Sequence, residues 1–563
     1  MASFPFNSFP LASRALPNVS LNRPKPRPTF TCKASGADDK LDRRDILIGL
    51  GGLYGLGTSL PALGLPIEAP ELSQCGEPDL PTGARPIKCC PPASSKIKDF
   101  KFPSPSAPLR IRPPAHAVDA EYISKYQEAV YKMKLLEPTD PRSFSQQARV
   151  HCAYCDGAYT QVGFEDLDLQ VHFSWLFFPF HRFYLHFYER ILGSLIGDDT
   201  FGLPFWNWDH PAGMTLPLMY TDKNSPLYDT LRDVNHTPST LINLDFNSPS
   251  DGPLSPAQQI DHNLTIMHRS VVDATKANLY MGRTYRRGSP PNTDQGPGPV
   301  SMENVPHSPV HYWTGDKRQK NAENMGNLYS AAFDPIFYSH HANIDRLWDV
   351  WLSLDGGNRR NFTDPDWLNS QFLFYDENAD VVKVTIKDCL DMSKLRYCYQ
   401  KVSNPWINSR PSPAVTVKKR TATVKKPPTA GEIKFPIILD KPVSVTVSRK
   451  RPSRSQNEKD KEEEVLTVGG LEIPKGEYTK FDVYINAPEG QEGVTAATSE
   501  FAGSFVSVAH NHIKEATLRT SLRLGISRLL EDLKAEGDES IIVTLVPRMG
   551  KVKVGGISIE FDS

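Results

Sequence analysis

Six of the fifteen histidines fall into two groups of three with similar surroundings, and these two trios restrict the fold more than any other feature. The first trio is His151, His172 and His181, and the second trio is His307, His311 and His341. A helix places residues four apart on one face, so His307 and His311 can chelate one metal ion. A fold that uses both trios has to bring distant segments of the chain together.

Two members of the first trio, His172 and His181, lie in an aromatic segment. His172 and His181 would lie on opposite faces of one continuous helix, but Pro179 predicts a helix start between them. His172 then belongs to the entering loop and His181 to the first helical turn. Neutral imidazoles in apolar surroundings suit copper, whereas zinc more often brings cysteine or carboxylate ligands. A zinc peptidase of the HExxH type is excluded because Ser308 stands where that motif needs glutamate.

Apolar periodicity predicts a mainly helical core with long ordered loops, followed by an all-β sandwich or jelly-roll-like domain. Helices are predicted over residues 121–136, 179–196 and 335–354, the last with Asp334 as its N-cap. Beyond residue 432 the period changes to two, which predicts strands over 443–447, 480–485, 501–508, 541–546 and 552–559. Residues 517–535 are predicted to form the one helix of this domain, and residues 449–464 a solvated charged loop.

The chain divides into four regions. Residues 1–68 read as two targeting signals in series, because an acid-free leader precedes Arg43-Arg44 and an uncharged stretch interrupted by proline. They predict import into a plastid and then export into the thylakoid lumen, without an integral membrane span in the mature form; a secretory signal with a long leader is the alternative. Residues 69–404 are the predicted catalytic domain, 405–431 a protease-sensitive linker and 432–563 the β domain.

Charge and cysteine content limit the partners. With 64 basic and 65 acidic residues, the chain has no overall field to attract nucleic acid, so no nucleic-acid partner is expected. Eight cysteines are too few for a disulfide scaffold, but five of them fall between residues 75 and 155, which suggests local bridges in an oxidising compartment. The pair Cys152 and Cys155 could also be a redox motif or half of a zinc site, although no second CxxC completes such a site. The sequence leaves the oligomeric state open.

Several segments carry these histidines and their neighbours in a specific spacing. They are residues 151–155, 171–182, 204–209, 303–315 and 334–346, with shorter signatures at 366–368, 480–483 and the tyrosines 397 and 399. Together they resemble the plant polyphenol oxidases, or catechol oxidases, of the type-3 copper family. The resemblance covers essentially the whole chain.

The resemblance implies a ligand set and a pattern of covalent links. Two copper ions would be held, the first by His151, His172 and His181 and the second by His307, His311 and His341, with the neighbouring His340 outside the ligand set. It also implies a thioether between Cys155 and His172. The implied disulfides are Cys75–Cys90 and Cys89–Cys152, which would leave Cys389 and Cys398 as ordinary buried thiols.

The resemblance also implies a reaction: oxidation of o-diphenols to o-quinones with reduction of O₂ to water. Glu303 would orient a water and accept a proton, although it could also be an ordinary acid at a helix end. Active tyrosinases of the family often carry asparagine where this chain has Ser308, so monophenol hydroxylation is expected to be weak or absent. Leu328 stands where an aromatic gate is common and should widen the mouth, while Tyr312 should narrow its opposite side.

Two other functions share these motifs. A specialised biosynthetic phenol oxidase or tyrosinase would act on a chalcone-like or lignan-like phenol, and a hemocyanin-like protein would bind O₂ reversibly. The basic, proline-rich linker favours an enzyme made as a zymogen, whose β domain covers the active site until the linker is cut. The competing interpretation is that this domain only completes the fold.

Overall fold

The computed structural model describes residues 64–248, 252–291, 302–414, 427–488, 494–508 and 517–562. The leader and most of the transport signal, at 1–63, and the basic part of the linker, at 415–426, lie outside these ranges. The helices are α1 Ala120–Leu135, α2 Phe144–Cys155, α3 Phe177–Ile196, α4 Pro256–Met267, α5 Ala277–Tyr280, α6 Ser308–Thr314, α7 Ile336–Ser353, α8 Pro365–Asn369, α9 Gln456–Lys461 and α10 Ser527–Asp532.

The long helices of the core lie where periodicity predicts them, with small shifts at their ends. Helix α1 begins after Asp119, whose carboxylate accepts the Tyr122 N–H. Helix α3 begins at Phe177, two residues before Pro179, so His181 lies in the second turn of the helix and not in the first as predicted. Helix α7 begins at Ile336, and the Asp334 carboxylate accepts its N–H at 2.9 Å.

The strands of the core are short and build three small sheets. They are β1 Ile97–Asp99, β2 Arg110–Arg112, β3 Thr160–Gln161, β4 Phe164–Asp168, β5 Gln371–Tyr375, β6 Val381–Thr385 and β7 Tyr397–Tyr399. The sheet β1-β6-β5 packs its β5 strand against α3, which backs the helix that carries His181. These strands were not predicted, because each is short and lies within a loop-rich stretch.

The C-terminal domain is a two-layer β structure. Its strands are β8 Ile437–Ile438, β9 Val443–Ser448, β10 Glu463–Pro474, β11 Thr479–Ile485, β12 Phe501–Ser507, β13 Thr517–Gly525, β14 Ser540–Met549, β15 Lys553–Val554 and β16 Gly556–Asp562. One sheet has the order β12-β11-β14-β9, and the other is built around β10, which pairs with β13, β15 and β16. The predicted mainly helical core with an all-β C-terminal domain is therefore confirmed.

Strand β11 explains how this domain meets the core. All seven of its residues are buried, and successive side chains point to opposite faces of the sheet. Phe481 and Val483 pack inside the sandwich, whereas Tyr484 packs with the helical core. The sheet β12-β11-β14-β9 is thus covered on both faces, by the other sheet and by the catalytic core.

Two predictions for the C-terminal domain were wrong. Residues 517–535 form strand β13 and the short helix α10 instead of one helix. Leu518 and Leu522 share a face at a spacing of four, which fits period two as well as a helix. The charged stretch 449–464 is not simply solvated, because Arg449 and Glu464 form a buried ion pair at 2.8 Å and α9 lies between them.

Candidate metal centre

The second trio is brought together by a turn and two helices. His307 ends the irregular helical segment Glu303–His307, His311 lies in α6, and His341 lies in α7. The Nδ1–H of His307 donates to the Glu303 carbonyl at 3.1 Å, and that of His311 donates to the Met325 carbonyl at 2.8 Å. The Nε2 atoms of His311 and His341 lie 3.3 Å apart, so these rings converge on one point.

The first trio comes from α2, the loop before α3, and α3 itself. The Nδ1–H of His151 donates to the Leu328 carbonyl at 2.9 Å, and that of His181 donates to the Phe177 carbonyl at 2.8 Å. His172 lies on the loop, with its Nδ1 3.3 Å from the side-chain oxygen of Gln170. A backbone carbonyl that accepts Nδ1–H fixes the tautomer and leaves the Nε2 lone pair for a metal.

The two trios face each other in one buried site. The rings of His181 and His341 stack with their centroids 4.0 Å apart, and those of His172 and His307 are 6.0 Å apart. Within the described chain, one ring nitrogen each of His307, His311, His340 and His341 lies within 4.8 Å of the others. A second such group joins His151 and His172 to the sulfur of Cys155. The structure therefore assembles all six histidines that the sequence singled out.

Burial keeps these imidazoles neutral. It lowers the pKa of His181 to about 3 and that of His311 to about 4. Burial also lowers the pKa values of His151, His307 and His341 well below the ordinary value, and the neighbouring histidines lower them further. A neutral imidazole has a lone pair to offer, whereas a protonated one has none.

The donor set fits copper. The Nε2 atoms of His151, His181 and His307 are buried and have no hydrogen-bond partner among the described residues. A buried polar atom normally has a partner, so these nitrogens point to a metal ion. Six imidazoles without a carboxylate in either trio suit copper better than calcium, magnesium or a structural zinc.

An ion-pair network outside the site fixes the helices that carry the ligands. Arg182 follows His181 on α3 and pairs with Asp345 on α7 at 2.5 Å, and both side chains are buried. The Asp345 carboxylate also accepts hydrogen bonds from Tyr397 and Tyr399 at 2.7 and 2.6 Å. The tyrosine pair that the sequence marked as a signature therefore fixes the Asp345 carboxylate, whose ion pair with Arg182 joins α7 to α3, a role that sequence reasoning did not assign.

Glu303 is buried beside the histidines. Its Oε1 accepts the Phe173 N–H at 2.7 Å, and its Oε2 has no partner within the described residues. Burial raises the pKa of Glu303 well above its ordinary value, opposed by the hydrogen bond from Phe173. Phe173 has a positive φ of 61°, a left-handed conformation uncommon for such a residue, and this aims its N–H at the carboxylate. Glu303 is thus no surface acid.

Ser308 and Leu328 both contact the ligand framework. The Ser308 hydroxyl donates to the Glu303 carbonyl at 2.8 Å, so it is already engaged with the backbone of the second-trio segment. Leu328 supplies the carbonyl that orients His151, and its side chain is buried.

The structure contains two disulfides in the N-terminal part of the catalytic domain, Cys75–Cys90 and Cys89–Cys152. The second one ties the start of the domain to α2, one residue after His151. Cys155 is buried, which raises the pKa of its thiol and disfavours a thiolate ligand. Cys389 is buried, whereas Cys398 is only half-buried.

The fold and the facing trios together define a dinuclear copper protein. Comparisons with known proteins narrow this class. Residues 141–354 match the family described as the common central domain of tyrosinase, residues 361–412 the polyphenol oxidase middle domain, and residues 435–561 the chloroplastic polyphenol oxidase C-terminal domain.

Relatives agree over most of the chain. A chloroplastic polyphenol oxidase of Malus domestica is 51% identical, covering 96% of this chain and 94% of its own length. Aureusidin synthase of Antirrhinum majus is 50% identical, covering 88% and 89%. The solved structure of latent apple tyrosinase is 52% identical and covers 83% of this chain and 100% of its own, with a TM-score of 0.78.

The chain belongs to the plant polyphenol oxidase family. It is a copper oxidoreductase that acts on phenols with a dinuclear copper centre, and the chloroplastic names of its relatives support the plastid localisation that its leader predicts. This result does not favour the oxygen-carrier alternative. Among the helices of the described residues, none combines the length and the apolar character that crossing a membrane requires.

Proposed function

We propose that this chain oxidises o-diphenols to o-quinones, with O₂ and small phenols as its reaction partners. The observation that carries this proposal is the convergence of two neutral histidine trios in one buried site. His151, His172 and His181 would hold the first copper, and His307, His311 and His341 the second. When bound, the copper pair supplies redox chemistry that moves two electrons from a diphenol toward O₂.

The protein residues accept protons from the substrate and keep bulk water out of the site. The unpartnered Oε2 of Glu303 can accept a hydrogen bond and then a proton from a phenolic hydroxyl, directly or through one water. Aromatic side chains such as Phe177, whose ring lies 4.8 Å from those of His181 and His307, exclude bulk water from the histidines. The test is quinone absorbance from purified, linker-cleaved enzyme on a panel of monophenols and diphenols.

We expect monophenols to react weakly. A monophenol must lose its proton early, and the hydroxyl of Ser308 is committed to the Glu303 carbonyl. Ser308→Asn offers an additional amide at this position and should raise the ratio of monophenol to diphenol turnover several-fold. Ser308→Ala is the matched control, because it removes the hydroxyl without adding an amide. Equal ratios in wild type and Ser308→Asn would contradict this explanation.

A specialised biosynthetic role is the second candidate. The observation that favours it is the 50% identity to aureusidin synthase over most of both chains. Both candidates use the same site and differ only in the substrate that fits it. A chalcone or lignan phenol that exceeds simple catechols in kcat/KM by tenfold or more would favour the specialised role.

Contacts between the β domain and the second-trio region support latency. Tyr478 of the β domain stacks on Tyr312, next to His311, with a centroid distance of 3.8 Å. The Asn304 side chain, next to Glu303, bonds both to the Ser504 carbonyl and to the Val506 N–H of strand β12. The domain therefore packs beside the segment that carries the second-trio ligands.

A buried ion cluster also joins the two domains. Lys480 of the β domain lies 2.8 Å from Asp245 of the core and 2.9 Å from Asp482, and all three side chains are buried. Removing one partner from such a cluster is costly, because the others stay buried without compensation.

We propose that the tether between these domains is the cleavage site. Trp406, inside the predicted linker, is buried and donates its indole N–H to Asp209 at 2.8 Å, so this part of the linker packs on the core. The basic residues between 418 and 426 are the better protease targets. A tethered domain stays docked through its high effective concentration, which cleavage removes.

Two further features of the mature enzyme are proposals. The thioether between Cys155 and His172 is supported by their proximity, since the Cys155 sulfur and a ring nitrogen of His172 lie within 4.8 Å of each other. It would form with loss of the thiol hydrogen and one ring hydrogen to O₂, and a peptide mass lower by those two hydrogens tests it. Export into the thylakoid lumen rests on the two leader signals. N-terminal sequencing of plant-extracted protein should find a start near residues 62–75, and a start near Met1 would contradict it.

A further inference from the structure

Four histidines, not three, gather at the second copper position. His340 and His341 are neighbours on α7, and both are fully buried. The ring of His340 lies 5.3 Å from that of His307 and 4.8 Å from that of His311, so proximity alone does not remove it from the ligand set. Some other feature has to decide between the two neighbours.

Trp208 supplies that feature. Its indole N–H donates to Nδ1 of His340 at 3.1 Å. An indole is only a donor, so Nδ1 of His340 has to be the acceptor, and the neutral ring then carries its hydrogen on Nε2. The Nε2 of His340 is also buried without a partner among the described residues, but it carries this hydrogen, so neither nitrogen of the ring has a free lone pair for copper.

His341 is left free to bind. Its Nδ1 has no hydrogen-bond partner within the described chain, and its Nε2 lies 3.3 Å from that of His311. No indole or other N–H in the described hydrogen bonds claims a lone pair of this ring. The two neighbouring rings therefore differ in chemistry, although they are equally buried.

The segment that contains Trp208 is fixed to α7 around this contact. The Trp206 N–H donates to the Ser339 carbonyl at 2.8 Å, and the Asn343 amide donates to the Asp209 carboxylate at 3.0 Å. Trp208 is itself fully buried. Its indole is thus held in register with His340 by bonds on both sides, and it has little freedom to release the ring.

We propose that Trp208 is a positioning residue that keeps His340 from binding copper and so leaves His341 as the third ligand of the second ion. This inference rests on the dinuclear copper site of the proposed function. It concerns the selection among four histidines and not the reaction itself.

The test compares the reduced copper holoenzymes of wild type, Trp208→Phe, His340→Leu and the double variant. The copper K-edge distinguishes three-coordinate from four-coordinate Cu(I), and copper release to a chelator is timed in parallel. Trp208→Phe frees His340 to bind, so the edge should move toward four-coordination and release should slow by about tenfold. His340→Leu alone should keep two coppers and a three-coordinate edge.

The double variant separates selection from damage to the fold. If Trp208 acts through His340, the double variant returns to the edge and the release rate of His340→Leu. An edge in Trp208→Phe equal to that of wild type, or a change that persists without His340, would overturn the proposal. So would loss of one copper in His340→Leu, and this result remains informative if Trp208→Phe does not fold. Loss of all copper from every variant would instead count against the proposed dinuclear site.

Discussion

The two histidine trios are chemically alike but lie in different surroundings. The first is enclosed by the helical core, where the Leu328 and Phe177 carbonyls orient His151 and His181. The segment that carries the second trio is contacted by the β domain, through strand β12 at Asn304 and Tyr478 at Tyr312. The two trios therefore differ in what packs against them, and this difference supports the proposal that the β domain controls access from the second-trio side.

The largest effect is expected when one histidine is removed from either trio. His181→Ala and His311→Ala should each leave a folded chain with reduced copper content and no oxidase activity, because one remaining copper cannot deliver two electrons to O₂. Copper analysis and quinone absorbance check this, with the exposed His116→Ala as control. Two coppers per chain in either variant would refute the ligand assignment.

The next effect is a dependence of stability on pH, which we expect from His262 near the Lys480 cluster between the two domains. Burial and the nearby Lys480 lower the pKa of His262 to about 4, while Asp482 raises it. A histidine with a depressed pKa contributes stability that is complete above its ordinary pKa near 6.5 and is lost as pH falls toward 4. At pH 4, the loss of unfolding free energy from this histidine is at most about 3 kcal/mol.

His262→Gln removes this contribution. Between pH 6.5 and pH 4, the variant should therefore lose less unfolding free energy than wild type does. Unfolding by urea at both pH values measures the difference. Asp245 also faces the Lys480 cluster and is unchanged in both proteins, so its titration cancels in the comparison. Parallel pH profiles for the two proteins would contradict the prediction.

Asn304 tests the contact between β12 and the second-trio segment. Asn304→Ala removes two hydrogen bonds to the strand, worth about 1 kcal/mol each. The uncut enzyme should then gain diphenol turnover by up to about thirtyfold, since about 2 kcal/mol less holds the domain in place and it undocks more often. Asn304→Asp keeps an acceptor for Val506 but sets a buried carboxylate against the Ser504 carbonyl, so it should raise the turnover of the uncut enzyme as well. Unchanged turnover in Asn304→Ala would show that this contact does not hold the enzyme in its latent state.

Tyr478 gives the smallest effect. Tyr478→Leu removes the stack on Tyr312, which is worth about 1 kcal/mol. Turnover of the uncut enzyme should rise two- to fivefold, and the linker-cleaved enzyme should not change. A rise of equal size after cleavage would show that Tyr478 acts on something other than docking, and no rise before cleavage would assign the stack to stability alone.

The same contrast shows what the sequence could predict. Four of the candidate ligands, His172, His181, His307 and His311, have local signals in the sequence: a spacing of four, helix-starting prolines or aromatic neighbours. His151 and His341 were assigned from the family resemblance. The strand β13 was mistaken for a helix because Leu518 and Leu522 fit both periods. The contacts of the second-trio side could not be read from sequence, since Lys480 meets Asp245, and Trp208 meets His340, only after the chain folds.

The most direct test of a copper site covered from its second-trio side is limited proteolysis at the basic residues between 418 and 426. Copper per chain and turnover of a simple o-diphenol are measured before and after the cut, with the released β domain removed. We predict two coppers in both samples and a rise in turnover after cleavage. Aggregation of the core, or turnover that falls while copper is retained, would contradict the account and assign the β domain to completing the fold.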